Sequence, residues 1–137
     1  RFASRIPTIP RRRAAHFFGE QRRVLNGVEA WRQGDIERFG GLMTASGASS
    51  IQNYESGTAE LVTLYELLRS TPGVIGTRFS GGGFGGSCIA LIERGEGEHV
   101  SETVWHGYRS AHPAAAAAAS FDVCNSAGAA RIERLKV

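Results

Sequence analysis

The run Ser80-Gly81-Gly82-Gly83-Phe84-Gly85-Gly86-Ser87 has the clearest capacity for chemistry in this 137-residue chain. Five of the six residues from 81 to 86 are glycine. Glycine backbones reach φ > 0 without a Cβ penalty and let another group come close. Successive N–H groups in such a loop form a concave anion site, so phosphate is the first ligand to consider. The other reading is a glycine hairpin that only permits tight packing between domains. Ser80 fits a hydrogen-bond donor to a phosphate or to the loop itself. A nucleophilic Ser80 or Ser87 would need a G-x-S-x-G elbow and a positioned histidine, and neither is evident.

Three glycine-loop motifs fail on context. Gly81, Gly83 and Gly86 satisfy G-x-G-x-x-G, but Cys88-Ile89-Ala90-Leu91-Ile92 follows as a strand where a dinucleotide site needs a helix. A phosphate loop of the Gly-Lys-Ser/Thr type needs a lysine, and the one lysine is Lys136. A protein-kinase loop needs a downstream strand lysine and a catalytic Asp loop, which are not found.

Other clusters carry weaker chemistry. His99, Glu102 and His106 share one face of an expected helix and are types that ligate zinc. They span two turns rather than converging, which favours a solvated face. His16 and His112 have no Cys or Asp nearby in sequence. Glu20 and Arg23 are either a functional pair or an i,i+3 surface ion pair worth a few tenths of a kcal/mol. Arg11-Arg12-Arg13 reads as a solvated helix start, because no basic and aromatic interleaving follows it.

These residues need elements to hold them. A helix is expected from about Arg12 to Arg32, with Phe17, Phe18, Val24, Leu25, Val28 and Trp31 as one apolar stripe. Gly34 should stop it and Asp35 should cap the next, which carries Ile36, Phe39 and Met43 and ends by Gly47. Ala45 to Gly57 reads as a structured connection. Thr58 should cap a third helix, with Glu60 near its positive end and Leu61, Leu64, Tyr65 and Leu68 buried, ended by Pro72-Gly73. Strands are expected at about 74–80 and 87–92, and a fourth helix from Glu98 to Arg109 with Val100, Val104 and Tyr108 on one face. Ala114 to Ala119 is expected as a mobile or poorly packed loop. Phe121 to Cys124 reads as a strand, Asn125 to Gly128 as a hairpin turn and Ala129 to Leu135 as the returning strand. The order gives an α+β fold, a ferredoxin-like antiparallel sheet with helices on one side.

The length suits a single domain spanning 1–137. The formal charge of +3 is modest, and 15 of the 16 basic residues are arginine, so no nucleic-acid partner is expected. No apolar run reaches membrane length, so no membrane partner is expected either. Cys88 and Cys124 are expected as buried free thiols in a reducing compartment, which points to the cytoplasm. The chain starts at Arg1 rather than methionine, and a fragment or processed piece is expected.

Gly73-Val74-Ile75-Gly76-Thr77-Arg78-Phe79-Ser80-Gly81-Gly82-Gly83-Phe84-Gly85-Gly86 closely resembles the third signature motif of the GHMP sugar kinases, in its galactokinase version. His16-Phe17-Phe18-Gly19-Glu20-Gln21-Arg22-Arg23-Val24 resembles that family's upstream helix. Gly34-Asp35, Phe39-Gly40, Leu42-Met43, Ser46, Tyr54-Glu55 and Glu60-Leu61 extend the likeness from about Arg12 to Glu93. Ser46 to Glu55 and Arg78 to Gly81 look most like galacturonokinases, whereas Gly82 with Gly85 is the galactokinase pattern.

The resemblance implies the C-terminal domain of a two-domain kinase. Its own N-terminal kinase domain would carry the sugar signature, the Ser-rich phosphate loop and the catalytic Asp. No catalytic residue and no metal ligand is expected in this chain. Ser80, Gly81, Gly82, Gly83, Phe84, Gly85 and Gly86 would lie near the phosphates of ATP, with ATP and Mg²⁺ held mainly by the absent domain. The implied reaction moves the γ-phosphoryl group to the anomeric hydroxyl of galacturonate or galactose, and this chain alone would be inactive. Alternatives from other classes are a galactokinase-like regulator without turnover and a free-standing interaction domain. A severed half should expose its apolar cleft face.

Overall fold

The computed structural model describes residues 5–125. The first helix, α1 (Thr8–Gln33), ends at Gly34, whose φ of 70° lets its N–H reach back to the carbonyls of Ala30 and Trp31. Asp35 then caps α2 (Ile36–Ser49), its carboxylate accepting from the Arg38 N–H at 3.1 Å.

The segment expected as a structured connection is helical for most of its length. The chain passes from α2 directly into a π-helical turn, Ser50–Tyr54, closed by Glu55 at φ 60°. Arg12 and Arg13 of α1 donate to the carbonyls of Gln52 and Asn53 in this turn. Those charged donors favour a wound backbone that Ser and Asn content alone would not predict.

Thr58 caps α3 (Ala59–Ser70) by accepting from the Leu61 N–H. Next come β1 (Val74–Ser80) and β2 (Ser87–Ile92), paired antiparallel with Thr77 opposite Ala90 and Phe79 opposite Cys88. Thr77, Phe79, Cys88, Ala90 and Ile92 therefore share one face. α4 (Gly97–Ala111) follows, and Pro113 opens a short α5 (Pro113–Ala116). The mixed helices and antiparallel pair make an α+β fold, as expected.

Two linked clusters form the core. Leu61, Tyr65 and Phe79 make one; Leu68, Val100 and Val104 make the other, and Leu64 and Cys88 touch both. Each fully buried Leu or Val is worth about 1.5–3 kcal/mol of transfer free energy. α2 lies along β1 at backbone distance. A Cβ on Gly76 would fall 2.2 Å from the Gly40 carbonyl oxygen, and the Thr77 N–H donates to Thr44 Oγ1 at 3.2 Å.

The apolar stripe of α1 forms and faces outward: Leu25 is 72% exposed and Trp31 57%, while the helix buries Gly27 and Ala30. Three expectations need correction. Phe121 to Cys124 is irregular rather than a strand; Phe121 instead packs edge-on against Trp105, with centroids 5.4 Å apart. Cys124 is exposed, and of the two thiols Cys88 is the one drawn inward. The alanine run starts as helix and buries Ala116. The hairpin turn after Asn125 and the returning strand of Ala129 to Leu135 lie outside the described residues.

Candidate functional site

The glycine run joins β1 to β2, as strand, loop and strand. Gly81, Gly83 and Gly85 take φ of 90°, 86° and 102°, so every second residue occupies a region that L side chains rarely adopt. Gly82 and Gly86 do not need that freedom, although a Cβ on Gly86 would press to 3.1 Å from the Ser80 carbonyl.

Gly83 anchors the loop from beneath. It is buried, and a Cβ there would lie 3.0 Å from the Gly57 nitrogen and 3.2 Å from the Phe79 ring. Its carbonyl accepts from the Thr58 N–H at 3.0 Å. Around this fixed point the loop stands open: nothing lies within 4 Å of a Cβ built on Gly81 or Gly85, and Phe84 is 74% exposed. No loop N–H from 81 to 86 donates to a backbone carbonyl in a turn or loop bond among the described residues. Ser80 is exposed beside Ser87 across the strand pair, and its hydroxyl bonds no side chain or carbonyl among the described residues. Ser80, Gly81, Gly82, Phe84, Gly85 and Gly86 are thus all exposed, with Gly83 buried among them. Loop N–H groups without acceptors, beside uncovered Cα atoms, present donors to an approaching anion.

Two polar clusters brace the neighbouring elements. Glu20 and Arg23 are more than a surface pair. Arg23 Nε donates to Glu20 Oε1 at 2.6 Å and Ser46 Oγ donates to Glu20 Oε2 at 2.8 Å. Arg23 Nη2 is 2.5 Å from Glu20 Oε1 in charge contact, outside hydrogen-bond geometry. Burial pushes the Glu20 carboxyl up, but the Ser46 hydroxyl, Arg23 and the Arg78 charge outweigh it and hold Glu20 below its usual range. The cluster joins α1, α2 and the strand that enters the loop.

The second cluster sits at the start of α1. Glu55 accepts from Arg12 at 2.6 Å and from Arg13 at 2.5 Å, and the Arg13 hydrogen bond with the Arg12 charge keeps its carboxyl low. Arg12 and Arg13 are therefore clamps on the π-helical turn. His16 Nδ1 lies 3.1 Å from Ser49 Oγ, and its ring lies 5.1 Å from that of Tyr54. Since Ser56, next to Glu55, packs against Gly83, this cluster also supports the loop.

The remaining candidates separate. His99, Glu102 and His106 are exposed on α4, and no group of three metal-binding side chains gathers among the described residues. His112 Nε2 instead meets Thr63 Oγ1 at 2.8 Å. Burial raises the Cys88 thiol to about 12, which makes it inert at neutral pH. Ser46, Ser49 and Gly57 take part in the site without any spacing signal that announces them, and Thr58 was announced only as a helix cap. Gly47 is occupied from above, since a Cβ there would meet the Tyr65 ring at 2.4 Å. Among the described residues, no helix is long and apolar enough to cross a membrane.

Known proteins resemble this chain in sequence and fold. The family model of the C-terminal region of GHMP kinases matches residues 28–107. A galacturonokinase of Arabidopsis thaliana is 47% identical over 102 residues, covering 74% of this chain and 24% of that protein. A galactokinase of Lactobacillus helveticus is 42% identical over 100 residues, covering 73% of this chain and 26% of its own length. A crystal structure of Lactococcus lactis galactokinase complexed with galactose superposes with a TM-score of 0.73 at 33% identity, over 77% of this chain and 27% of that one. This chain spans about a quarter of the length of these relatives. With the family model matched from the end of α1 into α4, the chain belongs to the GHMP kinase family and corresponds to its C-terminal region.

Proposed function

We propose that this chain is the C-terminal domain, spanning 1–137, of a two-domain sugar-1-kinase that phosphorylates the anomeric hydroxyl of galacturonate or galactose. The observation that carries the reading is the open glycine loop, with φ > 0 at 81, 83 and 85 above an anchored Gly83. That geometry fits the phosphates of a nucleotide. Gly81 and Gly85 permit close approach, loop N–H groups are free to donate, and Ser80 adds a hydroxyl at the rim. ATP, when bound, supplies the γ-phosphoryl group, and its charge is neutralised by Mg²⁺ and by backbone donors.

Residues 80–87 contain no carboxylate, imidazole or amine. The loop therefore binds and orients but does not move a proton. The base, the Mg²⁺ ligands and most sugar contacts belong to the N-terminal domain, so the 137-residue chain is inactive alone. An ATP-dependent sugar kinase of this kind works in the cytoplasm, which also keeps Cys88 and Cys124 reduced.

The test is ADP release by the full-length parent with Mg-ATP and either sugar. Turnover with galacturonate follows the likeness at 46–55 and 78–81; turnover with galactose follows the glycine pattern at 81–86. ATP binding without ADP release from either sugar contradicts the proposal.

A further inference from the structure

Glu55 stands where the backbone asks for glycine. Its φ is 60°, and every other positive φ among the described residues belongs to a glycine. A side chain in that region carries a conformational cost that glycine avoids. Burial does not offset it, because Glu55 is exposed. Its ion pairs with Arg12 and Arg13 are themselves partly exposed, and such pairs return little stability. Stability alone therefore gives no reason for a glutamate at 55. Residues held in sparsely populated backbone regions cluster at functional sites, and so do single π-helical turns. At Glu55 the two coincide.

A chain of contacts runs from this residue to the glycine loop. Arg12 and Arg13 hold the two carboxylate oxygens of Glu55, one each. The same guanidinium groups donate to the carbonyls of Gln52 and Asn53, and that of Arg13 lies 5.3 Å from the Tyr54 ring centroid. The turn is thus gripped at four consecutive residues. Ser56 follows, buried, and donates to the Ser50 carbonyl through its N–H at 3.0 Å and its hydroxyl at 3.2 Å. Ser56 Cβ and the Gly57 nitrogen fill the space that a Cβ on Gly83 would need, and the Thr58 N–H donates to the Gly83 carbonyl. A change in the Glu55 backbone therefore moves the surface against which Gly83 rests.

We infer that Glu55 is a positioning residue for the glycine loop: Arg12 and Arg13 hold its carboxylate, and its left-handed backbone aims Ser56, Gly57 and Thr58 at Gly83. The inference rests on the kinase reading above, in which the loop orients a nucleotide phosphate. Glu55 touches no reacting atom and acts only through the loop. Its removal misplaces the loop at the transfer step, while the nucleotide stays held mainly by the N-terminal domain.

The full-length parent carries the test, as Glu55→Gly and Glu55→Gln. Glu66→Gln, in the exposed Glu66–Arg69 pair of α3, is the control. Glu55→Gly relieves the backbone and removes the clamp together. A residue that only braced the fold would lose melting temperature and activity in step. Glu55→Gly is instead expected to keep or raise the melting temperature of the parent. Its kcat should fall about 30-fold, while KM for Mg-ATP changes less than about 3-fold. Glu55→Gln keeps one acceptor oxygen for an arginine and should lie between Glu55→Gly and the parent. Hydrogen exchange at the Thr58 amide reports its bond to Gly83 without any turnover. It should quicken about 10-fold in Glu55→Gly and stay unchanged in Glu66→Gln. In an active parent, a kcat unchanged by Glu55→Gly overturns the inference, and so does a fall in that variant's melting temperature. Unchanged Thr58 exchange overturns it whether or not the parent is active. A parent that forms no ADP with either sugar loses the kinase reading alone, and Thr58 exchange then decides the positioning.

Discussion

The backbone N–H of Thr58 donates to the carbonyl of Gly83 at 3.0 Å. The residue that caps α3 thus also holds the centre of the glycine loop. Ser56 and Gly57 pack against the same glycine, so the loop inherits its position from a helix start rather than from its own contacts. Gly83→Val adds a branched side chain at φ 86° and 3.0 Å from the Gly57 nitrogen. In the full-length parent we expect kcat to fall about 100-fold or more, as misplacement near 1 Å can do. Steady-state kinetics with varied ATP measure it.

Gly85→Ala separates backbone strain from crowding. Its φ is 102°, but nothing lies within 4 Å of the added Cβ. We expect a loss of about 1–3 kcal/mol from strain alone. Gly83→Ala should lose more, because crowding adds to the same strain. Denaturant unfolding of both variants checks the order.

How much of this was legible in the sequence follows from the range of the interactions. The strand, loop and strand around residues 81–86 were readable because glycine punctuation and short flanking apolar runs are local. Gly34, Asp35 and Thr58 were readable as caps for the same reason. The Ser46 bond to Glu20 was not, since 26 residues separate them. The π-helical turn was hidden because Arg12 and Arg13, about 40 residues away, wind it. The α1 stripe was seen, but periodicity gives a face and not what covers it. Phe121 to Cys124 carried a strand pattern that lost to packing of Phe121 against Trp105.

Gly40 and Gly76 predict the most destabilising change in the fold. A Cβ on Gly40 would fall 2.4 Å from the Ile75 carbonyl oxygen, against backbone that cannot yield as a side chain can. Gly40→Ala should cost about 3 kcal/mol, at the upper end for overpacking. Gly41→Ala on the same helix meets nothing and should be neutral or slightly stabilising. Paired urea titrations compare the two.

Glu20 predicts a response to acid. Burial pushes its carboxyl up, but Ser46, Arg23 and Arg78 together outweigh it and hold the folded carboxyl below its usual range. The carboxylate therefore contributes stability that is fully present above the unfolded pKa. That stability is lost as pH falls from about 4.5 through the lower folded value. Glu20→Gln should lower the melting temperature at pH 7 and narrow the gap to wild type on acidification. A gap that stays constant from pH 7 to pH 3 contradicts the network.

The central claim is that the open loop serves phosphoryl transfer to a sugar. ADP release by the full-length parent with Mg-ATP, galacturonate and galactose, measured beside Gly83→Val, addresses it most directly. The account predicts sugar-dependent turnover with one of the two sugars offered, and its near-complete loss in the variant. Turnover unchanged by Gly83→Val, or ATP bound with no ADP formed from either sugar, would contradict it.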